Sequence, residues 1–398
     1  MLQHFISGKI SATSPLAYFF LAFIAMSGLC YINFLPGVVN ALATGIGFSD
    51  TRAGQIVAFN GYGGLVGSTM AIFLVRRIAW RPAILIFLAA LALMDIATLR
   101  IEDYGIMLGW RFLAGVFGGL SLGIGFSVLA RLNNPDRAFG TLVFIQFAVG
   151  SLVIYLLPAL ERLLSVYAVF YVMASIVLLS LVMVVFLPPL PLDKKSSKQA
   201  RPFSKNNGKA LLLLLAILSY LIAASAIWAY VGLIGLSAGI TPENVSTYIA
   251  ITGLLGLPGA MLPVIAGDCF GRSYWLIGGI LLSAFAALLL NFSHASPAYI
   301  SAMALLFFSW PAVQSYLLAI TAEMDGSGRL STIAALVSSV ALATGPLLAS
   351  SLLTSDLPGS GKYSVMLYSC AMIFLLSFLL LLKPVRAQEK TGAALLPS

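Results

Sequence analysis

Apolar stretches long enough to cross a lipid bilayer recur about twelve times between Leu16 and Leu382, and polar residues collect in the short segments between them. A helix rises ~1.5 Å per residue, so ~20 apolar residues span a hydrocarbon core of ~30 Å. Hydrocarbon offers no partner for backbone N–H and C=O groups, so each crossing must satisfy them internally, as a helix does. Hydrophobic residues make up 60% of the chain and charged residues 9%. A soluble domain of that composition would expose apolar surface and aggregate. The sequence predicts an all-α membrane protein of twelve transmembrane helices.

The predicted spans are 16–39, 51–74, 82–99, 105–130, 138–158 and 165–187, then 210–238, 244–266, 273–291, 298–322, 330–353 and 363–383. The first run is too long for a signal-peptide core, so it is read as an uncleaved span. Between the sixth and seventh spans lies the one long polar stretch, residues 188–209, rich in Pro, Ser, Asn and six Lys or Arg. Such a segment reads as a flexible linker between two six-helix halves, 1–187 and 210–398. With 398 residues, twelve crossings and short loops leave no room for a sizeable soluble domain.

A net charge of +9 raises the question of nucleic acid, and its placement answers it. Lys9, Arg76, Arg77, Arg81, Arg131, Arg137, the six linker residues, Arg272, Arg329, Lys383, Arg386 and Lys390 fall on one side of the predicted topology. Only Arg52, Arg100, Arg162 and Lys362 fall on the other, and Arg111 lies inside a span. Seventeen against four places both termini and the linker in the cytosol, and the expected location is the plasma (inner) membrane of a bacterium. No nucleic-acid partner is implied. Cys30, Cys269 and Cys370 are scattered, and His4 and His294 are the only histidines, so no disulfide framework, metal site or cofactor is expected. Neither H-E-x-x-H, nor G-x-S-x-G, nor a Walker loop occurs, and the chain is not read as an enzyme.

The halves are positional repeats. An offset of about 192 residues carries Gly67 onto Gly259, Arg76 onto Asp268 and Arg137 onto Arg329. Three segments then carry a family resemblance. "GDCFGRS" (Gly267 to Ser273) lies between spans eight and nine, "RFLAG" (Arg111 to Gly115) opens span four, and "PDRAFG" (Pro135 to Gly140) opens span five. In these positions the chain resembles the major facilitator superfamily of secondary transporters, over essentially its whole length. The matching first-half loop, "RRIAWRP", departs from the family pattern, with Arg76 in place of an acid, Ala79 in place of Gly and Trp80 in place of Arg. Span five lacks the Gly-Pro that ends the family's antiporter signature. The resemblance implies two pseudo-twofold-related six-helix bundles that rock around a midplane cavity, lined by spans 1, 4, 7 and 10.

Asp95 and Arg111 are the only charges placed inside hydrocarbon. Their depths differ by ~4–5 Å, within reach of an Arg side chain. Intramembrane charges are costly and usually paired. The two are candidates for a proton or substrate-anion relay, against the plainer reading of a pair that pins span three to span four. Cavity candidates are Asn33, Asn60, Gln146, Trp228, Tyr230, Trp310 and Gln314, a set of amides and aromatics suited to an organic ligand with an apolar body. Each reads equally well as interhelical glue. Candidates for a cytosolic gate are Arg76, Arg77, Arg137, Asp268, Arg272, Glu323, Asp325 and Arg329, with the arginines of the first loop meeting the carboxylates before span eleven. Topology-setting charge is the alternative. Glycines four apart (Gly63 and Gly67; Gly115, Gly119 and Gly123) predict close helix packing, and Pro36, Pro258, Pro263, Pro311 and Pro346 predict interruptions.

The function expected is secondary active transport of a small organic solute, with protons as coupling ion and a monomer as the working unit. Export of neutral or amphipathic compounds ranks ahead of uptake of a monocarboxylate or aromatic acid. A non-transporting membrane sensor is the rival from another class, and it would want a soluble sensory domain.

Overall fold

The computed structural model describes residues 14–75, 77–132, 135–187, 207–266, 272–324, 329–353 and 361–393, a few at helix ends by their backbone alone. These residues are helical or in turns, with no strand among them. Among the described residues eleven helices are long and apolar enough to cross a membrane, and Pro15–Ser27 is a shorter apolar helix. The chain is therefore a multi-pass α-helical membrane protein. It divides into two compact units between Ser196 and Ser197.

The first unit comprises α1 (Pro15–Ser27), α2 (Cys30–Asn33), α3 (Leu35–Asn40), α4 (Asp50–Leu74), α5 (Trp80–Thr98), α6 (Tyr104–Leu129), α7 (Pro135–Leu163) and α8 (Ala168–Phe186). The second comprises α9 (Asn207–Ser237), α10 (Pro242–Gly253), α11 (Gly256–Ala266), α12 (Arg272–Leu289), α13 (Ser296–Met324), α14 (Arg329–Leu352) and α15 (Ser364–Ala393). Local chemistry fixes several starts. The side chains of Ser14, Ser49, Asp103 and Thr241 each accept the backbone N–H three residues on, the usual N-cap arrangement.

Two spans differ from the sequence expectation. The first, expected as one helix over 16–39, is a column of short pieces: α1 stops at Ser27, α2 lasts one turn, and Phe34 leaves the helical region at φ −106°, ψ 19°. Pro36 opens α3, where its missing N–H is harmless, and Ala41–Gly45 closes the column as a π-helical turn. The eighth, expected over 244–266, breaks between α10 and α11. Pro258 cannot donate to the carbonyl of Leu254 and its ring crowds that carbonyl, so the turn opens there. Pro263, Pro311 and Pro346, by contrast, lie within α11, α13 and α14, which continue through them.

Both units pack by the same scheme. Their second and fourth spans meet (α4 with α6; α11 with α13), as do the first and fifth (α1 with α7; α9 with α14). The third span packs on the fourth and sixth in each (α5 on α6 and α8; α12 on α13 and α15). The α4–α6 contact is the tightest, and glycine is its cause. A Cβ at Gly63, Gly67, Gly115 or Gly119 would overlap a backbone carbonyl of the facing helix. Large side chains facing lipid, such as Phe73, Ile86, Leu93 and Leu163, cover the outside of this unit.

Candidate functional site

The polar interior of the first unit is built where the first, third and fourth spans meet. Asp95 sits one turn before the end of α5, and Arg111 lies two turns into α6, so a tight hairpin brings them to one level. Arg111 Nη1 donates to Asp95 Oδ1 at 2.7 Å, with both side chains about 1% exposed. The same nitrogen lies 3.2 Å from the Thr98 hydroxyl, which itself donates to the carbonyl of Met94 at 2.8 Å. Thr98 follows Asp95 by three residues and so shares its helix face.

The backbone around the pair is braced from both sides. Trp110 Nε1 donates to the Met94 carbonyl at 2.9 Å, and Asn60 Nδ2 on α4 donates to the Arg111 carbonyl at 2.7 Å. Asn60 thus works between helices, holding α4 on α6 beside the glycines. Two aromatic rings close on the guanidinium: Tyr31 of α2, with its centroid 4.4 Å from Arg111 Cζ, and Phe170 of α8, at 5.6 Å. A cation held against rings in a desolvated place gains ~2 kcal/mol or more.

The charges are matched, yet the hydrogen bonding is incomplete. Asp95 Oδ2, Arg111 Nε and the Tyr31 hydroxyl are buried and have no hydrogen-bond partner. Each such atom costs ~1–3 kcal/mol while unbonded. One is an acceptor, one a donor, and the third either.

The other expected cavity residues are dispersed through their own units. Asn33, two residues past Tyr31, is buried with its Nδ2 unbonded, and Gln146 on α7 is half-buried. In the second unit the Trp228 ring stands edge-on to Phe307 at 5.2 Å, and Tyr230 is fully buried near the ring of Tyr363. Trp310 and Gln314 are half-buried on α13, and Trp310 Nε1 has no partner. Of the gate candidates, Arg77 and Arg137 are exposed, the latter 5.3 Å over the Tyr18 ring. Arg76, Asp268 and Asp325 lie outside the described residues, and Arg272, Glu323 and Arg329 are described only by their backbone.

Sequence reasoning missed Tyr31, Thr98 and Phe170. Thr98 had a signal, its three-residue spacing from Asp95. A Tyr or Phe in an apolar span carries none, because such rings usually serve packing. Also missed was a chain of hydroxyls in the second unit. Tyr220 of α9 meets Ser283 of α12 at 2.8 Å, and Ser283 meets Ser309 of α13 at 2.7 Å. Among the described residues no group of three or more His, Cys, Asp or Glu could hold a metal ion.

The pattern of the Major Facilitator Superfamily matches residues 16–267. The chain belongs to this superfamily. No curated protein matches the transporter at the level of sequence. Solved structures do match its fold. A crystal structure of a mutant of the nucleoside transporter NupG aligns at a TM-score of 0.74 and 13% identity, over 92% of this chain and 98% of that one. The human organic anion transporter MFSD10 aligns at 0.62 and 18% identity, over 94% and 100%. This superfamily member is thus a membrane transporter and not an enzyme.

Proposed function

We propose that the protein is a proton-coupled secondary transporter that exports a small neutral or amphipathic organic solute, with the Asp95–Arg111 pair as its coupling element. The observation that carries this reading is the ion pair itself, wholly buried inside one bundle with one carboxylate oxygen unbonded. Burying two charges costs several kcal/mol each in desolvation, and apolar residues of similar volume pack a bundle as well or better. An ion pair kept in such a place therefore has work beyond packing. Arg stays protonated, whereas a carboxylate can be discharged by a proton, so Asp95 is the member that titrates. Discharging it removes the counter-charge of Arg111 and changes what holds α5 to α6.

The same pairing supports a neutral over an anionic substrate, because Asp95 already compensates Arg111, the one buried cation among the described residues. Uptake of a monocarboxylate would need Arg111 free. Two proteins sharing this fold carry nucleosides and organic anions, so the fold alone does not choose between these classes. The membrane proposed is the plasma (inner) membrane, with termini and linker cytosolic, and the working unit a monomer. A reporter active only outside the cytosol, fused at residue 200, should stay silent; activity there would invert this topology.

The direct test is transport by purified protein in liposomes with an imposed pH gradient, using a panel of labelled solutes. Solute movement should follow the gradient in the natural protein. Asp95→Asn should retain exchange of solute while losing its response to the gradient. An undiminished response in that variant would remove Asp95 from coupling.

A further inference from the structure

The three unbonded atoms belong to residues that Arg111 already joins, Asp95 through the ion pair and Tyr31 through its ring, and together they form a complementary set. With Asp95 ionised, Oδ2 is an acceptor with no donor on it, and the Tyr31 hydroxyl, beside the Arg111 guanidinium, makes no hydrogen bond of good geometry. Adding a proton to Oδ2 reverses its sense: it becomes an O–H donor, and the Tyr31 oxygen offers it lone pairs. The same proton cancels the charge that holds Arg111, and the Tyr31 ring, 4.4 Å from Cζ, is already in place to hold it instead. We propose that Tyr31 is the alternate partner of the Asp95–Arg111 pair, receiving the guanidinium on its ring and accepting a hydrogen bond from the carboxyl O–H on its hydroxyl when Asp95 is protonated. The idea rests on the proton-coupling reading above and goes further, in naming the residue that responds.

Its position gives the response somewhere to go. Tyr31 lies on α2, a single turn bounded by Gly28–Leu29 on one side and Phe34 on the other. A short piece between two breaks moves more easily than the middle of a long helix, because few i→i−4 bonds tie it to its neighbours. Proton occupancy of Asp95 would thereby set how firmly this piece of the first span is held to α6. The described charged or titratable groups that face Asp95 are few. Arg111 comes from α6, and Tyr31 and Cys30 come from α2; α8 contributes Phe170, which does not titrate. No second carboxylate competes for the proton among them. The step is a simple protonation: an O–H bond forms at Oδ2, a hydrogen bond forms to Tyr31, and nothing is oxidised or reduced.

The test needs no knowledge of the substrate. Infrared difference spectra of the full protein in liposomes, taken as pH is lowered, should show the C=O stretch of a protonated carboxyl that is missing in Asp95→Asn. In Tyr31→Phe the ring remains but the acceptor is gone, so the midpoint of that band should move about 0.5–1 pH unit lower. In Tyr31→Leu the ring is gone as well, and the midpoint should move lower still, while the ion pair keeps the protein folded at neutral pH. A band with the same or a higher midpoint in both Tyr31 variants would overturn the role of Tyr31 and leave the coupling reading standing. A natural protein with no band that Asp95→Asn removes would overturn both.

Discussion

The two units tie the same three spans together, and they do it with different chemistry. In the first, spans one, three and four meet through Tyr31, Asp95 and Arg111; in the second, spans seven, nine and ten meet through Tyr220, Ser283 and Ser309. The offset of about 192 residues carries Tyr220, Ser283 and Ser309 onto Gly28, Leu91 and Phe117. The charged knot is thus displaced by one to two turns, on all three helices, toward the loop that joins the third and fourth spans. The second knot is neutral and bonded throughout: Ser283 also donates to the Gly279 carbonyl at 2.9 Å, and Ser309 contacts that of Leu306 at 3.3 Å. A neutral, satisfied knot pins helices at small expense. A charged knot with three unbonded atoms is far costlier, and that difference supports the proposal that puts proton coupling at the first unit's junction and a purely structural role at the second's.

The sharpest way to break that contrast is to unpair the charges. Arg111→Ala leaves Asp95 buried without a counter-charge and should lose about 3–5 kcal/mol of stability along with transport. The double variant Asp95→Leu with Arg111→Met should regain stability and not transport; thermal unfolding in detergent separates these outcomes. Were the double variant to transport in response to a pH gradient, the two knots would be equivalent after all. Next in size, Gly115→Val forces a side chain into the Asn60 carbonyl and should destabilise by about 1–3 kcal/mol. Gly150→Ala, where a Cβ meets nothing within 4 Å, should leave the melting temperature alone. In the neutral knot the effect should be on stability alone. Ser283→Ala should cost about 1–3 kcal/mol, from the Tyr220 and Ser309 hydroxyls it leaves behind, with activity per folded molecule and its pH profile unchanged. A shifted pH profile in that variant would bring the second unit into coupling.

Much of this was legible from residue order alone. Charges inside apolar runs stand out because hydrocarbon tolerates so few, and the similar depths of Asp95 and Arg111 in adjacent spans suffice to suggest their pairing. The glycines of α4 and α6 likewise announced a close approach. What stayed hidden depends on distances across the bundle. Asn60 reads in sequence equally as a cavity amide or as interhelical glue, and its amide meets the Arg111 carbonyl because Gly63 and Gly115 let the backbones approach. Tyr31 sits 80 residues before Arg111 in a run of apolar neighbours, and only the breaks at Gly28 and Phe34 put its ring on the guanidinium. Pro36 and Pro258 marked interruptions correctly as a class, while Pro311 and Pro346 ride within unbroken helices, since surrounding helices can compensate one missing bond.

The hairpin of α5 and α6 has a bearing on how the chain reaches the membrane at all. Asp95 and Arg111 are only 16 residues apart, on consecutive helices, and Trp110 bonds to the carbonyl just before Asp95. On translocon-insertion scales a lone Asp or Arg costs up to about 2.5–3.5 kcal/mol, the value at a helix centre. Released singly, the third span would carry an uncompensated carboxylate into lipid, and the fourth an uncompensated guanidinium. Delivered as a pair, they hide each other's charge before either meets hydrocarbon. Synthesis order thus matters here: the third span should partition poorly into the bilayer until the fourth has emerged, making this hairpin, rather than the single helix, the unit in which the bundle is laid down.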